Sequence, residues 1–261
     1  VDCIVPATTD EFMTQARDLG LPDVAPVTHE TFRQWVIEDV FCDGRPPWEE
    51  VGVTLTRDVH SYETMKIRIL NGGHQVLANV GEVLSVPMIV DCIQDTQIAA
   101  FFQKVQQNEI LPQVASVPGM SPMDYLELIT RRFANPKIRD TTRRVAFDGS
   151  SRHTGFLLPT LREAREKGQS ISGLTLAEAL WARMCYGQRE DNSVIEPNDP
   201  NWAVLQSHAR HARTNPKSWL NQPGIYGHLS QDTEFTEQFA MWLDLIWAEG
   251  CRAALARYLA G

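Results

Sequence analysis

Apolar residues in this chain return at the period of a helix, and that periodicity restricts the folds open to it more than any other feature. Phe235, Phe239, Trp242 and Ile246 stand at i, i+4, i+7 and i+11, the stripe of an amphipathic helix facing a core. Phe32, Trp35, Val36 and Val40 repeat at helical spacing after Thr28. Tyr125, Leu128, Ile129 and Phe133 follow Ser121-Pro122-Met123-Asp124, and Phe12, Met13 and Ala16 follow Thr8-x-x-Glu11 and close near Gly20; both leaders are helix-start signatures. Asn135-Pro136 opens a segment with Ile138 and Val145 that stops at Asp148-Gly149. Leu174 to Met184 is rich in leucine and alanine, Asp199-Pro200 precedes Trp202 and Leu205, and the end is alanine-rich. Strand-like runs are few, with Val51-Gly52-Val53-Thr54-Leu55 the best. The chain is therefore expected to be mainly α, one multi-helical domain over residues 1–261.

Composition narrows the function. A chain of 261 residues with 43% hydrophobic and 22% charged residues has the make-up of a soluble globular protein. A formal net charge of −9 argues against a general nucleic-acid binder, though an arginine pocket can still take an anion inside an acidic molecule. The five cysteines are odd in number, widely spaced and never C-x-x-C, so neither a disulfide framework nor a zinc site is expected, and a reducing cytoplasm fits best. No apolar run approaches the ~18 residues of a membrane span. Val1-Asp2-Cys3 has neither an initiating methionine nor the character of a signal peptide, so a cut or processed end is expected. No G-x-G-x-x-G follows a strand, and no P-loop occurs, so no phosphate cradle is encoded.

The stretch Met65-Lys-Ile-Arg-Ile-Leu-Asn-Gly-Gly-His74 supports two folds. Asn71-Gly72 between apolar-rich flanks is a hairpin signal. On a helix, the same residues would gather Lys66, Asn71 and His74 towards one face, with Asn71 about 140° and His74 about 80° round from Lys66. A polar trio among apolar neighbours is costly unless hydrogen-bonded. Gly72 and Gly73 would cost such a helix roughly 1 kcal/mol each against alanine, which suggests that their bare backbone admits a ligand or another part of the chain.

Tyr62-Glu-Thr-Met-Lys-Ile-Arg-Ile-Leu-Asn-Gly-Gly-His74, with Phe32–Phe41 before it and Arg143–Arg152 after it, resembles the mannitol dehydrogenase family of long-chain polyol dehydrogenases. So does Gly173–Trp202, and the match is collinear over essentially the whole chain. K-x-x-x-x-N-x-x-H is the family's catalytic spacing. The resemblance implies a helical C-terminal domain similar to that of 6-phosphogluconate dehydrogenase, with the family's N-terminal Rossmann domain absent from this stretch. It implies metal-independent oxidation of a sugar alcohol to a ketose, D-mannitol to D-fructose, with NAD, or NADP, held mainly by that other domain. By position, Lys66 matches the general base, Asn71 an amide donor to the developing oxyanion, and His74 a residue orienting the reacting oxygen. An ammonium keeps its proton at neutral pH; apolar enclosure, which disfavours the charged form, is what lets such a group act as a base. Arg144 matches an arginine that binds distal hydroxyls, Arg152 stands on the same wall, and Asp2 matches an acid at the domain junction. For Arg144 and Arg152 a solvated basic helix end is the plain alternative.

Two other functions remain open. One is a hexuronate reductase of the same family, acting on fructuronate or tagaturonate and needing a further cation for the carboxylate. The other is a helical binding module without catalysis. His208 and His211 have the spacing of helix-borne metal ligands but no third ligand nearby, so a solvated face is expected. Trp35, Trp181, Trp242 and Trp247 read as core or interface aromatics, and Cys185 and Cys251 as buried thiols.

Overall fold

The stripe of Phe235, Phe239, Trp242 and Ile246 folds as expected, into the helix Thr233–Glu249, which buries all four. A computed structural model describes residues 1–2, 5, 8–21 and 25–261 of the chain; Cys3 lies outside the described residues. Helical residues make up 64%, and the only sheet among the described residues has two short strands, so the fold is mainly α. Its contacts divide it into two units, Val1–Glu63 and Thr64–Gly261.

In the first unit, β1 (Val36–Glu38) and β2 (Thr54–Thr56) pair in parallel, with Val36 opposite Thr54. The helical spacing of Phe32, Trp35, Val36 and Val40 is therefore misleading: β-branched Val36 and Ile37 take the extended form. Only the end of the expected 51–55 strand forms, because Trp48–Val51 is a 3-10 turn closed by Gly52 at φ 91°. Thr9 rather than Thr8 caps Asp10–Asp18, its hydroxyl accepting from the Phe12 N–H at 3.4 Å.

The second unit is built round the helix Ser172–Cys185, buried from Gly173 onward, as a helix apolar on every side must be. It packs against Thr233–Glu249 and against Gly73–Val83, which is buried from Gln75 to Val83. Its N-terminus is held by the buried Glu109, whose carboxylate accepts from the Gly173 and Leu174 N–H groups at 2.7 and 2.8 Å and from the Tyr258 hydroxyl at 3.0 Å. Ser121 and Asp124 form the expected capping box of Pro122–Phe133. Of the expected helix from Asn135 to Gly149 only Thr142–Ala146 forms, and a further short helix, Gly149–Arg152, begins after Asp148 at φ 57°. Trp181 and Trp242 are core residues, whereas Trp35 is half exposed. No helix among the described residues is long and apolar enough to cross a membrane.

Candidate functional site

The Lys66–His74 stretch is a helix, not a hairpin. Val59–Met65 is α-helical, Lys66–Gly72 is π-helical, and Gly73–Val83 returns to the α form without a break. A π turn bonds residue i to i+5 in place of i+4. Lys66 and Asn71, about 140° apart on an α-helix, are therefore one π turn from each other, and the wider winding brings them closer round the helix. Neither glycine is needed for its dihedral angles, since Gly72 and Gly73 are both right-handed helical. Gly73 is needed for space. A Cβ there would lie 2.4 Å from Gln106 Nε2 and 2.9 Å from Phe102 Cε2. The bare backbone thus admits side chains of a neighbouring helix.

His74 is the second residue of the returning α segment, stacked on Phe133 with centroids 4.3 Å apart and planes 17° from parallel. The residue keeps partial exposure, yet enclosure of the ring pushes its pKa down to about 4. Asp140 opposes this shift, while the positive charges of Arg144, Arg152 and Arg132 reinforce it. One electrostatic environment therefore joins His74 to both arginines singled out in the sequence.

Each arginine is held in a different way. Arg144 makes a two-pronged contact with Asp140, which raises the pKa of its guanidinium; its side chain is 62% exposed, so it is neither a freely solvated helix end nor a core residue. Arg152 is half-buried, which lowers its pKa, as does the neighbouring charge of Arg144. It donates to the Val145 carbonyl at 2.6 Å, and that carbonyl also accepts from Gln75 Nε2 at 3.1 Å. Gln75 lies on the site helix one residue beyond His74, so Val145 links the arginine to that helix. The Thr142 hydroxyl, within hydrogen-bonding distance of Glu82 Oε1 (3.1 Å) and the Val86 carbonyl (3.0 Å), pins the Thr142–Ala146 helix to the far end of the site helix.

Asp2 belongs to the first unit, where it forms an antiparallel bridge with Trp35. His208 Nδ1 lies 3.4 Å from the Ser218 carbonyl and His211 Nδ1 2.9 Å from that of Ser207. Among the described residues no three His, Cys, Asp or Glu side chains are grouped to hold a metal. Among the described residues no strand runs through a glycine-rich turn into a helix.

A buried polar chain behind the site escaped the sequence reading. Asn79 Nδ2 donates to His153 Nε2 at 2.9 Å, His153 Nδ1 lies 2.7 Å from Glu178 Oε1, the Tyr226 hydroxyl donates to Glu178 Oε2 at 2.9 Å, and Trp219 Nε1 donates to the Tyr226 oxygen at 2.6 Å. The indole can only donate, so the Tyr226 proton goes to Glu178. His153 Nε2 accepts from Asn79, so Nδ1 carries the proton and also gives it to Glu178. His153 further stacks on Trp181 with centroids 4.2 Å apart. The available signal was Glu178 itself, the one acid in the Leu174–Met184 run.

A helical domain whose long helix carries a lysine and an asparagine one π turn apart, followed by an enclosed histidine, defines the class. Residues 58–247 match the mannitol dehydrogenase C-terminal domain, and the chain belongs to that family. It is 48% identical to a mannitol 2-dehydrogenase of Cereibacter sphaeroides over all of this chain and 54% of that protein. It is 34% identical to a mannitol 2-dehydrogenase of Phaeosphaeria nodorum over 99% of this chain and 46% of that one. The Pseudomonas fluorescens mannitol 2-dehydrogenase, solved as a ternary complex with NAD and D-mannitol, superposes with a TM-score of 0.91 at 31% identity, over 98% of this chain and 53% of that one. The chain thus spans about half the length of the relatives it matches.

Proposed function

We propose that this chain is the substrate-binding and catalytic half of an NAD-dependent polyol dehydrogenase interconverting D-mannitol and D-fructose, its other half being a Rossmann domain that holds the cofactor. The observation that carries the reading is the π turn joining Lys66 to Asn71 on the helix that also bears His74. Similarity to a protein solved with NAD and D-mannitol supports it.

In this reading Lys66 Nζ takes the hydroxyl proton as the carbinol is oxidised, and returns it when a ketose is reduced. The hydride acceptor is supplied by the companion domain. The Asn71 amide donates to the substrate oxygen as negative charge develops there. The His74 ring, neutral at pH 7, offers one nitrogen as donor and the other as acceptor, and so orients that oxygen. Arg144 and Arg152 bind the distal hydroxyls, each fixed beforehand by its own partner, which limits the ordering cost of binding. Asp2 is proposed as a further substrate contact on the family resemblance alone.

Lys66→Ala in the two-domain enzyme is the test. Turnover of D-mannitol is expected to fall about 10²–10⁴-fold while cofactor binding survives. Near-normal turnover refutes Lys66 as base. Fructuronate assayed beside D-mannitol settles the substrate, since a preference for the uronate replaces the polyol reading.

A further inference from the structure

Gln106 stands where an apolar side chain would cost less. It is fully buried, and its Oε1 has no partner among the described residues, an expensive arrangement for a core position. Its Nε2, however, donates to the Ile69 carbonyl at 2.8 Å. Because a carbonyl only accepts, it is the NH₂ end of the amide that faces Ile69.

Ile69 lies in the π segment between Lys66 and Asn71. Where bonding returns from i+5 to i+4, the count of donors falls one short and a carbonyl is left under-served. At this junction the Gly73 N–H is shared between the Ile69 and Leu70 carbonyls. The Gln106 amide makes up the deficit at Ile69, and Gly73 is the residue that lets it in, since a Cβ there would lie 2.4 Å from Nε2. Gln106 itself opens a second π segment, Gln106–Ile110, and both of these π segments and a third, His153–Leu157, pack on one another through Lys66–Gly72.

We propose that Gln106 is a positioning residue that holds residues 66–72 in the π register and so keeps Lys66 and Asn71 on one face. The proposal rests on the catalytic reading above for its effect on turnover, but not for its effect on the helix. Without the amide, the Ile69 carbonyl keeps only its share of the Gly73 N–H, which favours tightening of the helix towards the α form and swings Asn71 away from Lys66. Arg144 and Arg152 sit on other helices and keep their place.

The test is Gln106→Met in the two-domain enzyme, a side chain of the same reach without the donor. The expected result is a fall of about a hundredfold in kcat, the cost of a small misplacement of reacting groups, with KM for the polyol changed less than about twofold, since distal binding is retained. The Ile69 carbonyl ¹³C resonance should move as its hydrogen bond is lost. Gly73→Ala approaches the same contact from the other side and should show the same split, and the double variant should be no worse than either single one. If Gln106→Met fails to fold, Gly73→Ala decides. A folded variant with wild-type kcat overturns the proposal, and so does a loss of kcat with the Ile69 resonance unmoved. If Lys66→Ala retains turnover, the catalytic reading fails by itself, and the Ile69 resonance still decides whether Gln106 holds the register.

Discussion

Acid should destabilise this chain through His74, and the amount can be worked out. Enclosure against Phe133 lowers the ring from its ordinary 6.5 to about 4, so between those values the unfolded chain binds a proton that the folded chain does not. Stability from this source is complete above pH 6.5 and is lost as pH falls towards 4. At about 1.4 kcal/mol per pH unit the ceiling is about 3 kcal/mol. His74 keeps partial exposure, and solvent screening reduces the expected effect to about 1.5 kcal/mol between pH 7 and pH 4.5. The comparison is with His74→Phe, which can stack on Phe133 but cannot take a proton. Urea unfolding at the two pH values should show wild type losing about 1.5 kcal/mol more than the variant. NMR titration of the folded chain should find the His74 imidazole still neutral at pH 5. A midpoint at or above 6.5, or equal acid losses in the two proteins, refutes the argument and removes the case for a neutral imidazole beside the reacting oxygen.

Glu178→Ala should strand the Tyr226 hydroxyl and the His153 Nδ1 proton in a dry interior, lowering stability by about 4 kcal/mol and Tm by roughly 10 °C. An unchanged Tm in thermal unfolding would show that the buried chain is not a structural tie. In a Cys3→Ser background, a thiol reagent should modify the exposed Cys42 in the native chain. Cys185 and Cys251 should react only after unfolding, because burial holds their thiols far from ionising; rapid reaction of either in native protein counts against the packing described.

Helices were legible where burial follows a single periodic stripe. Pro122–Phe133 and Thr233–Glu249 have caps and stripes that agree, and both fold as their sequences suggest. The reading failed where two local rules compete. Residues 32–40 repeat at a helical period but are β-branched at Val36 and Ile37, and pairing with Thr54–Thr56 prevails. Asp148-Gly149 looked like a helix stop; the turn is made at Asp148, and Gly149 starts the next helix. The Asn79–His153–Glu178–Tyr226–Trp219 chain was invisible because its members are far apart in sequence and meet only through tertiary packing.

The Lys66–His74 stretch is a helix, as the resemblance to the polyol dehydrogenases implies, and the hairpin signal of Asn71-Gly72 is misleading there. What neither pattern contains is the π form of Lys66–Gly72. An α-helix sets positions five apart about 140° from each other, so K-x-x-x-x-N is a poor spacing for joint action on one atom. The π turn eases that objection, because its wider winding brings i+5 round towards the face of i. Such a turn has no propensity signature of its own, because it depends on a partner for the carbonyl it leaves under-served. Here the partner is Gln106, distant in sequence from Ile69. The second glycine of Asn71-Gly72-Gly73 is its trace in the local sequence: it resembles a turn signal, yet it marks where another helix reaches the backbone of this one.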